Sequence, residues 1–177
     1  MSETGASDTG SVTTFIGLGS NLKDPVAQIR RATEALDGIP GCRLLELSRL
    51  YQSKPLGPAD QPDYVNAVAK LETELPPDRL LDELQSIEKS QGRVRGAKWG
   101  PRTLDLDILF YGDRQIESQR LSIPHPGIPH RSFVLWPLTD LLEETTELPG
   151  LGRLDALKAA CPDGTIETCP DDDVEPL

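Results

Sequence analysis

The chain has 177 residues, which is enough for one domain with a substantial core and too few for two large domains. Its formal net charge is −11, and ten of its 29 acidic residues lie within residues 143–177. This acidity argues against nucleic acid as the main partner, and no apolar run approaches the length needed to span a bilayer.

The N-terminal segment MSETGASDTGS has neither a basic start nor an apolar centre, so we expect a disordered tail over residues 1–11 and no signal peptide. The three cysteines form no zinc-type spacing, and their odd number fits structural roles in a reducing compartment. These features predict a cytoplasmic protein with no membrane partner. We also expect a monomer that acts on small molecules and has no nucleic-acid partner.

Strand and helix signals alternate along the chain. Residues 13–18 predict a first strand, and Asp24-Pro25 predicts the start of a helix that ends at Gly38. The elements predicted after it are a strand over 42–51, an irregular loop over 54–62, a strand over 64–74, a helix opened by Pro76-Pro77-Asp78 that ends at Gly92, a strand over 104–111, a short hairpin around Gly112-Asp113 leading to Gln115-Ile116, and a helix over 131–142.

This element order predicts an α+β fold with a ferredoxin-like βαββαβ core, in which a mainly antiparallel sheet is flanked by helices. We expect one catalytic domain over residues 12–142. The acidic residues 143–177 are expected to form a short C-terminal appendage that packs on the domain or trails from it.

The predicted strand over 104–111 carries two aspartates. Strand alternation places Leu104, Leu106, Ile108 and Phe110 on one face, and Asp105, Asp107, Leu109 and Tyr111 on the other. Two like charges on one face of a strand are unfavourable unless a cation lies between them. The pattern indicates either a solvated acidic face or a site for Mg²⁺, which carboxylates usually hold together with substrate phosphates.

A basic segment precedes this strand. Five cations lie between Gln85 and Arg102, with Glu88 as the only acid among them. The cations are Lys89, Arg93, Arg95, Lys98 and Arg102. The planar guanidinium group of arginine can donate two parallel hydrogen bonds to phosphate oxygens. The composition of the segment therefore indicates phosphate binding in preference to a merely solvated loop. Trp99 is either a core residue or a stacking surface within it.

Two further polar residues stand out. His125 lies between two prolines that restrict its backbone; it is either structural or a donor to a phosphate. Asn66 lies in an otherwise apolar strand, where its amide is either an exposed edge group or a donor and acceptor for the edge of a heterocycle. The sequence has no P-loop, no GxSxG elbow and no protein-kinase motif set. The residues alone thus predict a Mg²⁺–nucleotide site with an aromatic pocket.

Four motifs carry a resemblance to a known family. They are Gly19-Ser20-Asn21, PLGPADQPDYVNA at 55–67, GRVRGAKWGPRTLDLDILFYG at 92–112, and Ile123-Pro124-His125-Pro126 followed by Arg131 and LWPL at 135–138. In these motifs the chain resembles the 6-hydroxymethyl-7,8-dihydropterin pyrophosphokinases of folate biosynthesis. The resemblance implies that a diphosphate passes from ATP to the pterin hydroxymethyl group, giving AMP and the pterin diphosphate, with two Mg²⁺ ions.

The resemblance also implies roles for individual residues. The catalytic residues would be Arg93, Arg102, Asp105 and Asp107, with both aspartates as metal ligands. The ATP-binding residues would be Gln85, Arg95, Trp99, Arg102, Ile108, Arg120, Ser122, His125 and Arg131, and Glu88 matches a position that helps to hold the nucleotide. The pterin-binding residues would be Ser53, Lys54, Leu56, Tyr64, Asn66, Trp99 and Phe133.

Two other functions remain compatible with the residues. One is a different Mg²⁺-dependent nucleotide transferase that releases diphosphate, which the identity of the leaving product would distinguish. The other is a ferredoxin-like module that binds RNA through the basic segment without ATP turnover, which salt-dependent RNA binding would reveal.

Overall fold

The structure is a computed structural model that describes residues 10–21, 24–53, 63–92, 104–161 and 166–169. Its elements in chain order are β1 (Val12–Ser20), α1 (Pro25–Asp37), β2 (Cys42–Leu47), β3 (Tyr51–Ser53), β4 (Tyr64–Thr73), α2 (Pro77–Ser90), β5 (Asp105–Tyr111), β6 (Ile116–Glu117), β7 (Ser122–Ile123), a 3-10 turn (Ile128–His130), α3 (Ser132–Leu141), β8 (Glu147–Leu148), β9 (Gly152–Arg153), α4 (Leu154–Ala160) and β10 (Ile166–Thr168).

The main sheet has the strand order β10-β3-β4-β1-β5, and β2 also pairs with β4. All of these pairings are antiparallel. Helices α1 and α2 pack on one face of the sheet through apolar residues such as Ile29 and Leu84, while α3 and α4 pack on the other through Leu135 and Leu154. The predicted α+β fold, with a mainly antiparallel sheet flanked by helices, is confirmed.

The helix starts follow the sequence signals. Helix α1 begins at Pro25, and the Asp24 carboxylate accepts a hydrogen bond from the Ala27 N–H at 3.3 Å. Helix α2 begins at Pro77. Proline lacks a backbone N–H, and this costs nothing at the first position of a helix, where an N–H would have no intrahelical acceptor. The predicted starts of both helices are confirmed.

The predicted single strand over 42–51 is two strands, β2 and β3. Ser48 separates them because its hydroxyl, and not its backbone carbonyl, accepts the Val68 N–H at 2.9 Å. The same hydroxyl donates to the Arg49 carbonyl at 2.8 Å. The side chain therefore interrupts the ladder and lets the chain bend along the edge of β4.

Strand β5 contains an irregularity that changes which residues face each side. Phe15 pairs with Phe110, but Ile16 pairs with Ile108, so Leu109 is an extra residue in the ladder. As a result Phe110 lies in the core cluster that contains Phe15, and Tyr111 lies in the opposite cluster. The predicted facing of Leu104, Leu106 and Ile108 is confirmed, whereas that of Phe110 and Tyr111 is wrong, because a bulge reverses alternation beyond it.

The predicted hairpin around Gly112-Asp113 does not return along β5. Ile116 and Glu117 instead pair with Ile123 and Ser122 in the small ladder β6-β7. The segment after β7 contacts the outer edge of β5 near Leu109. There the His125 N–H donates a hydrogen bond to the Leu109 carbonyl at 3.1 Å.

The C-terminal residues contribute to both the sheet and the core. Strand β10 pairs with β3, and Leu148 and Leu154 are buried against the cluster formed with α3. Among the helices of the described ranges, none is long and apolar enough to cross a membrane.

An Asp140 carboxylate joins α3 to β3. It accepts hydrogen bonds from the Tyr51 hydroxyl at 2.9 Å, from the Arg49 N–H at 3.0 Å and from the Arg49 guanidinium at 3.3 Å. Burial, together with the hydrogen bond to Asp140, raises the pKa of Tyr51 to about 12. This connection fixes the strand that carries Ser53 relative to the helix that carries Phe133.

We expect Tyr51→Phe to lower the free energy of unfolding at pH 7 by about 2 kcal/mol, since a hydrogen bond to a charged acceptor is lost. The pKa of Tyr51 in the folded state lies above the ordinary value of 10 for the unfolded chain, so its contribution is complete below pH 10 and is lost as the pH rises towards 12. Urea unfolding between pH 7 and 11 measures both effects, and the variant should lose less stability than the parent at the alkaline end.

The matched control is Arg43→Gln, which removes an ion pair of 2.9 Å between largely exposed groups on β2 and β4. Such exposed pairs contribute little to stability, because water screens the attraction between their charges. A loss for Tyr51→Phe no larger than that of the control, at every pH, would contradict the role assigned to Asp140.

Candidate active site

A cavity of about 400 Å³ opens at the end of the sheet where β1 finishes and where β4 and β5 begin. Eleven of the residues predicted for the site lie in its wall: Ser53, Tyr64, Asn66, Gln85, Glu88, Asp105, Asp107, Arg120, His125, Arg131 and Phe133. The rest of the wall comprises Gly17, Leu18, Gly19, Ala67, Leu81, Leu106, Leu109 and Val134. A volume of this size suits a small-molecule site with convergent polar groups.

The two aspartates of β5 face this cavity, and a third carboxylate lies behind them. Asp105 and Asp107 are half-buried, while Glu88 on α2 is 6% exposed. Glu88 Oε2 accepts a hydrogen bond from the Leu106 N–H at 2.7 Å, between the two aspartates. Because β5 is an edge strand, this N–H has no neighbouring strand in the described part of the sheet, and Glu88 takes that strand's place.

At the other side of the cavity, Ser53 and Asn66 form a buried hydrogen-bonded pair. The Ser53 hydroxyl donates to Asn66 Oδ1 at 2.8 Å, which directs the amide nitrogen towards Gly19. A Cβ at residue 19 would lie 3.0 Å from Asn66 Nδ2, so only glycine leaves the amide this position. Gly19 is paired with Asn66 on one side and with Asp105 on the other, so it lies between the amide and the carboxylates.

His125 is held in one tautomer when it is neutral. Its Nδ1 accepts a hydrogen bond from the Gly127 N–H at 2.9 Å, so the ring proton resides on Nε2. Burial, and then the nearby Arg131 guanidinium, lower the pKa of His125 to about 4 although Asp105 opposes the shift. At neutral pH the imidazole is therefore an uncharged hydrogen-bond donor through Nε2.

Arg131 lies between Gly127 and the Phe133 ring in the cavity wall. Its guanidinium lies across Gly127, where an added Cβ would come within 2.6 Å of Nε. Its guanidinium carbon is also 5.7 Å from the centroid of the Phe133 ring, a cation–π distance. The cation and the aromatic ring are thus presented together from the start of α3.

Arg120 lies in the turn between β6 and β7 and reaches over helix α2. Its Nη2 is 2.7 Å from Asp82 Oδ1, and its Nη1 is 4.0 Å from Asp78 Oδ1. The guanidinium belongs both to the cavity wall and to an ion pair on the rim.

Two residues predicted for ATP binding lie away from the cavity wall. Ile108 is buried in the core between the sheet and helices α1 and α2. The Ser122 hydroxyl donates to Glu117 at 3.4 Å within the small ladder. The predicted residues Lys54, Leu56, Arg93, Arg95, Trp99 and Arg102 lie outside the described residues.

Sequence reasoning missed the apolar part of the wall, to which Leu81 belongs. Leu81 is partly buried against the core cluster and also lines the cavity, on the same helix face as Gln85 and Glu88. The spacing i, i+4, i+7 of these three residues is the signal that could have identified the face. The role of Gly19 had no such signal, because it depends on Asn66 from another strand.

Comparison with known proteins shows the family of the chain. The model of the family 7,8-dihydro-6-hydroxymethylpterin-pyrophosphokinase (HPPK) matches residues 15–143. A 2-amino-4-hydroxy-6-hydroxymethyldihydropteridine pyrophosphokinase of Pseudomonas aeruginosa is 51% identical over 156 residues, covering 88% of this chain and 96% of the relative. The protein of the same name from Haemophilus influenzae is 55% identical over 133 residues, covering 75% and 83%.

A solved structure supports the fold independently. The Plasmodium falciparum HPPK-DHPS chain crystallised with pteroate superposes with a TM-score of 0.67 at 15% identity, covering 84% of this chain. This chain spans 42% of that longer protein, so the similarity concerns the fold of one part of it. From the extent of the family match and the identity to the two bacterial relatives, the chain belongs to the 7,8-dihydro-6-hydroxymethylpterin-pyrophosphokinase family.

Proposed function

We propose that the chain transfers a diphosphate from ATP to the hydroxymethyl group of 6-hydroxymethyl-7,8-dihydropterin, giving AMP and the pterin diphosphate, a step in folate biosynthesis. Family membership supports the reaction. The observation that carries its assignment to this cavity is the presence, in one wall, of an acidic pair, a set of cationic and polar donors, and a buried amide beside aromatic rings.

The nucleotide is assigned to the side of the cavity formed by α2, β5 and the segment after β7. Gln85, Arg120, His125 and Arg131 offer donors there for phosphate and ribose oxygens. Arg93, Arg95, Trp99 and Arg102 are proposed to complete this side, with Arg93 and Arg102 on the transferred phosphates. Ile108 and Ser122 have side chains that point away from the cavity wall, so they are proposed to contact ATP through their backbone.

The donor set fits Mg²⁺. Asp105 and Asp107 supply hard carboxylate oxygens on one strand face, and the described residues contain no group of three or more acidic, histidine or cysteine side chains that could enclose a metal without substrate. That combination matches an ion held by one or two carboxylates and the phosphates. We assign Asp105 and Asp107 as ligands of two Mg²⁺ ions, which when bound would neutralise charge on the ATP phosphates.

The pterin is assigned to the side formed by Ser53, Tyr64, Asn66 and Phe133. The rings of Tyr64 and Phe133 are suited to contact the faces of a flat heterocycle, and Asn66 Nδ2 is suited to donate to its edge. Lys54, Leu56 and Trp99 are proposed to complete the pocket. We propose that residues 12–142 hold both substrates and that the protein is a monomer in the cytoplasm, a reducing compartment in which the cysteines Cys42, Cys161 and Cys169 keep their thiols.

Catalysis would rest on positioning and on charge neutralisation. His125 is a poor base, since its pKa is about 4 and its Nδ1 already accepts the Gly127 N–H. Its Nε2 proton is instead suited to stabilise a phosphate oxygen, and the arginines add fixed positive charge. Bringing the hydroxymethyl oxygen in line with the β-phosphorus of ATP then supplies most of the rate enhancement.

The direct test is to incubate the chain with ATP, Mg²⁺ and 6-hydroxymethyl-7,8-dihydropterin and to separate the products. We expect AMP and a diphosphorylated pterin in equal amounts. ADP would indicate transfer of a single phosphoryl group, and free diphosphate would indicate nucleotidyl transfer; either product would refute the proposal.

We expect Asp105→Asn and Asp107→Asn each to reduce kcat at least about 100-fold, because each removes a carboxylate that would hold the Mg²⁺ ions on the ATP phosphates. Circular dichroism and thermal unfolding should remain close to the parent, since both side chains lie at the cavity wall. Asp113→Asn is the matched control, an exposed acid just beyond the same strand. Near-parental turnover in either site variant would remove the metal assignment.

We expect Gly19→Ala to raise the KM for the pterin about tenfold, because its Cβ would displace Asn66 Nδ2 from 3.0 Å away. Gly17→Ala is the control: the three atoms nearest to its Cβ would all belong to the Leu109 side chain, at 3.4 Å or more, which is ordinary van der Waals contact. Steady-state kinetics at saturating ATP separate the two variants. Equal pterin KM values for both would mean that Asn66 does not contact the pterin.

A further inference from the structure

The ion pair between Arg120 and Asp82 connects the small β6-β7 ladder to helix α2 at the rim of the cavity. Its Nη2–Oδ1 distance is 2.7 Å, and Asp78, one helical turn earlier, lies 4.0 Å from the other terminal nitrogen. The turn that presents Arg120 is closed by a hydrogen bond from the Ser118 N–H to the Leu121 carbonyl at 2.9 Å.

Both ends of this pair remain accessible to a competing ligand. The side chains are 46% and 55% exposed for Arg120 and Asp82, so water screens the attraction between them. Asp82 follows Leu81, which lies in the cavity wall, whereas Asp82 itself does not. The Arg120 guanidinium is therefore accessible from the cavity, while the Asp82 carboxylate that engages it lies outside the cavity wall.

We propose that Asp82 acts as an intramolecular competitor for Arg120 and thereby lowers the affinity of the site for nucleotide. The terminal nitrogens of Arg120 that suit a polyphosphate or a ribose are the ones engaged by Asp82 and approached by Asp78. Binding of a nucleotide through Arg120 must weaken these contacts, and the carboxylate charge offsets the arginine charge that attracts the phosphates. Asp82 acts through Arg120 and is a positioning residue, without contact to the reacting atoms. This inference rests on the proposed nucleotide site.

The size of the effect follows from the exposure of the pair. An exposed ion pair changes an equilibrium by about two- to fivefold, so its removal should strengthen nucleotide binding by that factor. The effect should appear in the affinity and in the KM for ATP, with kcat unchanged, because Arg120 would be equally engaged in the ground state and during transfer. Raising the salt concentration should reduce the difference between variant and parent.

The test measures binding of α,β-methylene-ATP with Mg²⁺ by calorimetry, together with kinetics, for the parent and for Asp82→Asn. The matched control is Asp155→Asn, which removes the same charge from another 2.7 Å ion pair, with Arg153, away from the cavity. Both substitutions are repeated in an Arg120→Gln background, and unfolding temperatures are recorded for all variants.

We expect Asp82→Asn to bind the analogue about two- to fivefold more tightly at low salt and Asp155→Asn to match the parent. In the Arg120→Gln background, Asp82→Asn should have no effect. Weaker binding by Asp82→Asn, or an effect equal to that of the control, would overturn the inference. A gain that persists without Arg120 would also overturn it, since Asp82 would then repel the phosphates directly. Failure of the parent to bind the analogue would refute the proposed function itself.

Discussion

The hydrogen bond from the Leu106 N–H to Glu88 is the contact on which the arrangement of the site depends. An edge strand that faces a cavity has backbone donors with no strand beside them, and a buried donor without an acceptor costs about 1–3 kcal/mol. Glu88 satisfies that donor from helix α2 and so fixes the strand to the helix between Asp105 and Asp107. Because Leu81 and Gln85 share the helix face of Glu88, the same contact positions another part of the cavity wall.

A second set of constraints brings the proposed pterin side of the cavity next to the proposed nucleotide side. Gly19 is flanked by Asn66 and Asp105 on its two neighbouring strands, so the separation of these residues is set by the spacing of adjacent strands. Asp140 supports the outer part of the proposed pterin side by joining β3 to α3. Within the described residues, the proposed chemistry requires little conformational change, because strands and helices already hold the polar groups at the cavity wall.

Residue patterns predicted much of this arrangement, and the failures have local causes. Asp24-Pro25 and Pro77 marked helix starts because their effects are confined to a single turn. The break at Ser48 was missed because its hydroxyl finds its partner on another strand, 20 residues away. The bulge at Leu109 was missed for a similar reason: a pattern read from one strand cannot register an extra residue relative to its neighbour. The strand face of the two aspartates was predicted correctly because both residues precede the bulge. The contact between Gly19 and Asn66 could be seen only in the structure, because it joins two strands.

The bulge in β5 has a further consequence for how the strand can vary. The half of β5 before the bulge faces the cavity, so its residues are constrained by the polar groups there. The half after the bulge supplies Phe110 and Tyr111 to the core clusters on opposite faces of the sheet. In a strand without the bulge, side chains would alternate between the two faces along the whole length. The facing of the cavity residues would then fix the facing of the core residues. With the bulge, the two halves can accumulate changes independently, so evolution can repack the aromatic end without turning the acidic end away from the cavity.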